Sequence, residues 1–202
     1  MRVKGCKIVK HATVNGLSDS IRGAKFPMAI DVEKLTTDLT PGIKALAMSG
    51  QGEGHDNWLN GINVQFDLTY TVKAWTEEER YHFIDFVSSQ STMHRITKFD
   101  LDKAYISYVD PRIIKIMKEK VALYNTYAMS DNPDKEKLDQ MYLEILYSNP
   151  CGFKLTARMT TNYRQLKTIY HQRRNHRLPE WQMLCDWIES LPYSELITLK
   201  EN

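Results

Sequence analysis

The sequence predicts an α+β fold, an antiparallel sheet with a mostly helical C-terminal half, in a single domain over residues 1–202. Three observations lead there. Between residues 62 and 74, Ile62, Val64, Phe66, Leu68, Tyr70, Val72 and Ala74 alternate with polar residues, the period of a strand with one buried face. Beyond residue 110 the apolar spacing lengthens to three and four, behind Asp-Pro and Asn-Pro pairs that open helices. No Pro/Gly/Ser-rich linker or shift in composition divides the 202 residues, a length that supports one sizeable core.

Taken in order, residues 2–10 read as a short strand before the turn signal Asn15-Gly16. The strand over 62–74 has the alternation of an antiparallel sheet with one wet face, or one face turned toward a ligand or a second subunit. Thr76 begins T-E-E-E, a capping box in which its hydroxyl caps while Glu79 reaches back. It predicts a helix with Tyr81, Phe83, Ile84 and Val87 as apolar positions. Asp110-Pro111 opens a helix through Ile113, Ile114, Ile116, Met117, Val121 and Leu123. Asn132-Pro133 opens another, with Leu138, Met141, Tyr142, Ile145 and Leu146 inside and Asn149-Pro150 as its stop. Thr160 or Thr161 is expected to cap a basic helix whose core stripe is Leu166, Ile169 and Tyr170. Leu178-Pro179-Glu180 restarts a last helix carrying Trp181, Leu184, Ile188 and Leu191, ended by Pro192.

A net charge of +2 gives no general attraction to nucleic acid or acidic lipid, so any anion site must come from local clustering. Cys6, Cys151 and Cys185 are far apart, with neither a C-x-x-C pair nor a disulfide framework, which suits a reducing, cytoplasmic setting. The first residues, MRVKGCKIVKHATVNG, show no apolar signal-peptide core, and no run of 18 apolar residues suggests a membrane span. The histidines lack H-E-x-x-H and paired Cys/His spacing, so no metal site is expected. Cys151, in a Pro-Cys-Gly turn without a placed histidine, reads as a turn residue rather than a nucleophile.

The local cluster is at residues 162–181, NYRQLKTIYHQRRNHRLPEW, where no acid precedes Glu180 to neutralise the cations locally. Arg164, His171, Arg173, Arg174, His176 and Arg177 therefore point to a bound anion, arginine's planar fork suiting phosphate, against a plain solvated basic face. A helical period places Asn162, Gln165, Arg173 and Arg177 near one meridian, with His171 and Arg174 toward the next, so about half of the cluster can face one ligand. Two loops stand beside it. Residues 49–56 hold three glycines, which either turn the chain or let the backbone approach a ligand, and they form neither a P-loop nor G-x-G-x-x-G. Residues 88–95 gather Ser88, Gln90, Ser91 and Arg95, donors suited equally to an anion or to closing the end of the preceding helix.

The order of these motifs resembles the flavin-dependent thymidylate synthases, the ThyX family, over roughly residues 50–190. Gly54-His55 precedes the strand as in that family's G-H loop. Asn162-Tyr163-Arg164-Gln165-Leu166 with Arg173 falls on its N-x-R-x-L-x-x-x-x-x-x-R pattern, and Glu180-Trp181 lies near its tryptophan. The family signature R-H-R-x-x-S-x-N-E-x-S-x-R-Y is altered. With Arg95 on its last arginine, Ser88 takes the first serine, Gln90 the asparagine, Ser91 the glutamate and Met93 the second serine, while R-H-R becomes Phe83-Ile84-Asp85.

The resemblance implies an α+β, ThyX-like fold, a homo-oligomer with sites between subunits, FAD as cofactor and deoxyuridine monophosphate as the nucleotide methylated. The candidate nucleotide or phosphate contacts are Ser88, Gln90, Ser91, Arg95, Arg173 and Arg174, and the candidate cofactor contacts are His55, Asn162, Arg164, His171 and Arg177; the family pattern covers Asn162, Arg164 and Arg173, whereas Arg174, His176 and Arg177 are charge beyond it. Loss of two signature cations and gain of Asp85 weaken an anionic cofactor site, and Phe83-Ile84 suits core packing. The alternative is a catalytically inactive ThyX-like scaffold of the kind expected in bacterial viruses, a nucleotide-binding or protein-interaction module in a host cytoplasm. A nucleic-acid binder using the basic helix is a third reading, disfavoured by the near-neutral charge.

Overall fold

The computed structural model describes residues 1–50 and 53–199. Residues 2–10 split rather than forming one strand: β1 (Arg2–Val3) and β2 (Val9–Asn15) pair antiparallel across a loop. In that loop the Lys4 carbonyl accepts from Trp187 Nε1 at 3.1 Å, and Cys6 N–H donates to Val9 O at 2.8 Å, so the first group serves a distant side chain and the second a turn. Asn15-Gly16 does turn the chain, with Gly16 at φ 78°, and the turn leads into a helix, α1 (Leu17–Gly23). Next comes α2 (Pro41–Ala47), whose Ile43 N–H donates to Thr40 Oγ1 at 3.4 Å.

The strand read from the 62–74 alternation is β3 (Asn63–Thr71), with Val64, Phe66, Leu68 and Tyr70 fully buried. It pairs antiparallel with β2, Val9 opposite Leu68, with a bulge between Lys10 and Thr13 where His11 takes φ 49°. It stops three residues early. The Thr71 hydroxyl accepts from Ala74 N–H at 3.2 Å, as a cap does, and starts α3 (Val72–Glu78). Thr76 therefore lies inside that helix, its hydroxyl donating back to Lys73 O at 2.8 Å, and the expected helix through Val87 does not form. Residues beyond Glu78 return as a strand instead, β4 (Ile84–Ser89), followed by the short α4 (Thr92–Arg95).

The two long helices match their signals closely. α5 (Pro111–Ala128) begins with Asp110 Oδ1 accepting from Arg112 N–H at 2.8 Å. α6 (Lys135–Ser148) is capped by Asp134 rather than Asn132, Oδ1 accepting from Lys137 N–H at 2.8 Å, and ends at Asn149 before Pro150. Sequence reading missed β5 (Lys154–Asn162), which lies between β3 and β4 in the sheet order β1-β2-β3-β5-β4. Its hydrogen bonds run antiparallel to both neighbours. Tyr163 N–H meets Ile62 O and Val72 N–H meets Phe153 O on one side, while Gln90 N–H meets Thr156 O and Thr161 Oγ1 meets Phe83 O on the other. The chain then forms α7 (Tyr163–Arg173), α8 (Pro179–Glu189) and α9 (Glu195–Thr198).

Contacts gather the chain into two compact units. The first holds Met1–Leu68, Glu79–Ser88 and Ala157–Asn202. Its core lays the apolar stripes of α7 (Tyr163, Leu166, Ile169, Tyr170) and α8 (Trp181, Leu184, Trp187, Ile188) against the sheet, Phe66 and Trp187 meeting with ring centroids 5.0 Å apart. The second holds Thr69–Glu78 and Ser89–Thr156, and packs Ile96, Leu101, Tyr105, Met117, Val121 and Ile145 around Phe153. Phe99 and Tyr105 both meet Phe153 edge-on, at 5.1 and 5.3 Å. No helix among the described residues is long and apolar enough to cross a membrane.

The three thiols are unpaired, Cys151 exposed and Cys185 buried in α8. Burial pushes the Cys185 thiol up to about 12. A thiol reagent at pH 8 is expected to modify Cys151 and leave Cys185 intact in the folded protein. Because the folded pKa is raised, the stability Cys185 contributes is complete below the ordinary thiol value of 9.0 and is lost as pH rises toward 12. Denaturant titrations at pH 7 and 10 check this, with C185A expected to flatten the difference.

At Gly16 a Cβ would combine positive φ with a 2.3 Å approach to Gly61 O, a backbone atom that cannot swing aside. Gly16→Ala is expected to cost about 1–3 kcal/mol in urea denaturation.

Candidate functional site

The basic segment folds as expected at its start and differently at its end. β5 passes into α7 without a loop: Asn162 is the last residue of the strand, and its Oδ1 caps the helix by accepting from Gln165 N–H at 2.9 Å. The cap is therefore Asn162, not Thr160 or Thr161. Thr161 instead spends its hydroxyl on Phe83 O at 2.7 Å. α7 ends at Arg173, so Arg177 lies beyond the helix and shares no meridian with Asn162.

Asp56, only 6 % exposed, is the acid that organises the helix, although it lies far from it in sequence. One carboxylate oxygen accepts from Arg164 Nε at 3.1 Å and the other from Lys167 Nζ at 2.8 Å. Lys167 directs its other hydrogens at the carbonyls of Ala47, 2.7 Å away, and Ser49, at 3.3 Å. Its three donors are thus used, and it closes α2 and the start of the glycine-rich loop onto α7. Of that loop, Gln51 and Gly52 lie outside the described residues, and Gly54 turns at φ 79°.

Arg164 is different. Its Nε is held by Asp56 while its Nη groups have no partner among the described residues, and its side chain is 37 % exposed. Arg164 borders a cleft of about 640 Å³, lined also by Gln165, Lys167, Thr168, His171 and Gln172 of α7, by Asn162, and by Asp56 and Asn60. Met48, Phe83 and Leu199 give it apolar surface, with Ser49 and Gly50 at the loop. Phe83, expected in the core, is 65 % exposed, because β4 turns Ile84 inward at 4 % and leaves its neighbour facing the cleft.

Of the residues singled out in the sequence, Asn162, Arg164 and His171 come together here. The others do not line the cleft. Arg173 donates from Nε to Tyr81 Oη at 2.7 Å and stacks its guanidinium 4.8 Å from the Trp181 ring. Arg174 is neutralised by Asp186 at 2.8 Å and Glu189 at 3.3 Å, acids on α8 that local sequence did not offer. His55 and Arg177 are exposed. Ser88 lies within β4, and Gln90 is pinned to β5, its Oε1 accepting from Thr156 N–H at 2.9 Å. Ser91 makes no capping bond, and Arg95 is exposed at the end of α4. Ser88 belongs to that strand and the other three follow it, where a helix was expected. No group of three or more metal-ligating side chains occurs among the described residues.

Asp56, Lys167 and Gln172 were missed. The one available signal was Lys167 three residues after Arg164, which sets two cations on neighbouring turns of α7 in need of an acid.

No protein-family model and no curated protein matches the chain. Solved structures do. The ThyX flavin-dependent thymidylate synthase of Helicobacter pylori, complexed with FAD and dUMP, aligns with a TM-score of 0.67 at 14% identity, over 99% of this chain and 98% of that one. A second structure of the Helicobacter pylori enzyme with FAD and dUMP gives 0.62 at 15% identity, over 96% of each chain. The UMP/dUMP methylase PolB of Streptomyces cacaoi, bound with 5-Br dUMP, gives 0.58 at 14% identity, over 98% of this chain and 96% of that one. The fold is therefore ThyX-like, strongly diverged in sequence.

Breaking the buried Asp56–Lys167 pair from one side should cost about 3–5 kcal/mol, since an uncompensated charge is left behind. Asp56→Ala is expected to lose that much in chemical denaturation. Adding Lys167→Met should recover part of it, a coupling that a double-mutant cycle measures directly.

Proposed function

We propose that the cleft on α7 binds a nucleoside monophosphate of the uridine or deoxyuridine series, with its phosphate at Arg164. The observation that carries this reading is the Arg164 guanidinium. Asp56 grips its Nε edge, which leaves the Nη groups facing a cleft with apolar surface at Met48, Phe83 and Leu199. A fork held from behind presents bidentate donors with little ordering left to do, the geometry that suits a phosphate. Asn162 and the first turn of α7 lie beside it, where the helix favours negative charge. The likeness in fold to proteins solved with dUMP or 5-Br dUMP supports the nucleotide class.

A flavin nucleotide is the second reading, supported by the exposed Phe83 ring at the cleft and by the fold's likeness to a synthase complexed with FAD. The residues fit one phosphate and one flat ring: Phe83 would carry the ring, and Arg164 with Asn162 would hold the phosphate. A bound flavin would supply hydride chemistry, and the chain's own part would be binding and orientation. With Phe83-Ile84-Asp85 in place of R-H-R, the segment brings no cation to that ring. Gln90, Ser91 and Arg95 of the second unit are proposed as anion donors, as is Ser88 of the first, and the protein is proposed as a homo-oligomer.

A thermal-shift series tests both readings. At about 100 times Kd, UMP or dUMP should raise the melting temperature by roughly 5–10 °C. Arg164→Met should remove the shift without altering the unliganded melting point by more than a few degrees. A protein that shifts with FAD or FMN alone would favour the flavin reading, and one that shifts with none of them would end both.

A further inference from the structure

Four amides line the cleft, Asn60, Asn162, Gln165 and Gln172, and in Asn162 and Gln172 the oxygen is already engaged. Arg173 Nε can only donate, and it gives its hydrogen to Tyr81 Oη at 2.7 Å. Tyr81 has one hydroxyl hydrogen, which it donates to Gln172 Oε1 at 3.0 Å. The face that Gln172 shows is therefore decided two residues away: its oxygen meets Tyr81, and its NH2 group remains for the cleft. Asn162 is set in the same way by the Gln165 backbone N–H on its Oδ1. Lys167 and the Nε of Arg164 are likewise spent on acceptors of the protein.

We propose that Arg173 and Tyr81 are positioning residues which act through Gln172 to make its end of the cleft a hydrogen-bond donor. The ligand group met there must then be an acceptor, such as a ring carbonyl, and an exocyclic amino group is rejected. This rests on the mononucleotide reading. Arg164 and Gln172 are eight residues apart, about 12 Å along α7, so a phosphate held at one leaves the base edge near the other. Arg173, read from sequence as a phosphate ligand, thereby becomes a residue that determines which base is accepted. The relay is short, and packing supports it: the Arg173 guanidinium lies 5.5 Å from the Tyr81 ring and 4.8 Å from that of Trp181.

Calorimetric titration with UMP and CMP tests the idea on wild type, Tyr81→Phe and Gln172→Glu. Wild type should bind UMP about tenfold more tightly than CMP, since a wrong edge sets the amide donors against a donor. Tyr81→Phe frees the amide to rotate, so the ratio should fall toward one. Gln172→Glu, a change at an exposed position, keeps an acceptor for Tyr81 and turns another acceptor to the cleft, so the ratio should invert toward CMP. If wild type binds UMP but the ratio is unaltered in both variants, or if Tyr81→Phe weakens both ligands equally, the positioning role is wrong and the mononucleotide reading stands. If wild type binds neither nucleotide, both fall.

Discussion

A single buried carboxylate carries much of the first unit's functional geometry. Asp56 takes one hydrogen bond from Arg164 and another from Lys167, two cations on successive turns of α7. Removing such charges from water is costly, and the cost is met only because each oxygen is matched and Lys167 finds two carbonyls for its other hydrogens. The arrangement works in both directions. It holds the start of the glycine-rich loop against the helix, and it turns Arg164 so that its outer edge points away from the acid. Without Asp56, Lys167 would be a buried charge and Arg164 a mobile surface side chain.

The basic helix consequently divides by partner rather than by charge. Arg174 is satisfied by α8, Arg173 by Tyr81 and an aromatic ring, and Lys167 by Asp56, which leaves Arg164 as the cation of this set with donors toward the cleft. A run of cations without local acids looks like an anion site in one dimension. In three dimensions most of that charge is paired within the protein, and few hydrogens remain for a ligand. A mononucleotide suits such a site, because it asks for one phosphate contact and one edge contact rather than a field of positive charge.

The parts of the fold that sequence revealed are those whose signals are local. α5, α6 and α8 carry their caps, prolines and apolar spacing within their own boundaries, and they formed nearly where expected. β3 was visible through Leu68 and Tyr70, but its end was not, since Val72 and Ala74 continue the alternation while the Thr71 hydroxyl diverts the backbone into α3. β5 was hidden because its outward positions alternate with Ala157, Met159 and Thr161, a pattern too weakly apolar to stand out, although the sheet buries all three. The site followed the same division. Asn162, Arg164 and His171 were legible from one helix, whereas Asp56 bonds Lys167 across 111 positions of chain, a pairing that no local pattern encodes.

The passage of β5 into α7 without a loop sets a limit on how this chain can change length. Loops absorb insertions because their ends stay put, but Asn162 is both strand end and helix cap, so an added or deleted residue has nowhere to go. One extra residue after it would turn every later side chain of α7 by about 100°. Arg164 and Lys167 would leave Asp56 together, and Leu166 and Ile169 would rotate out of the core. Change at this junction is thus confined to substitution in a fixed frame.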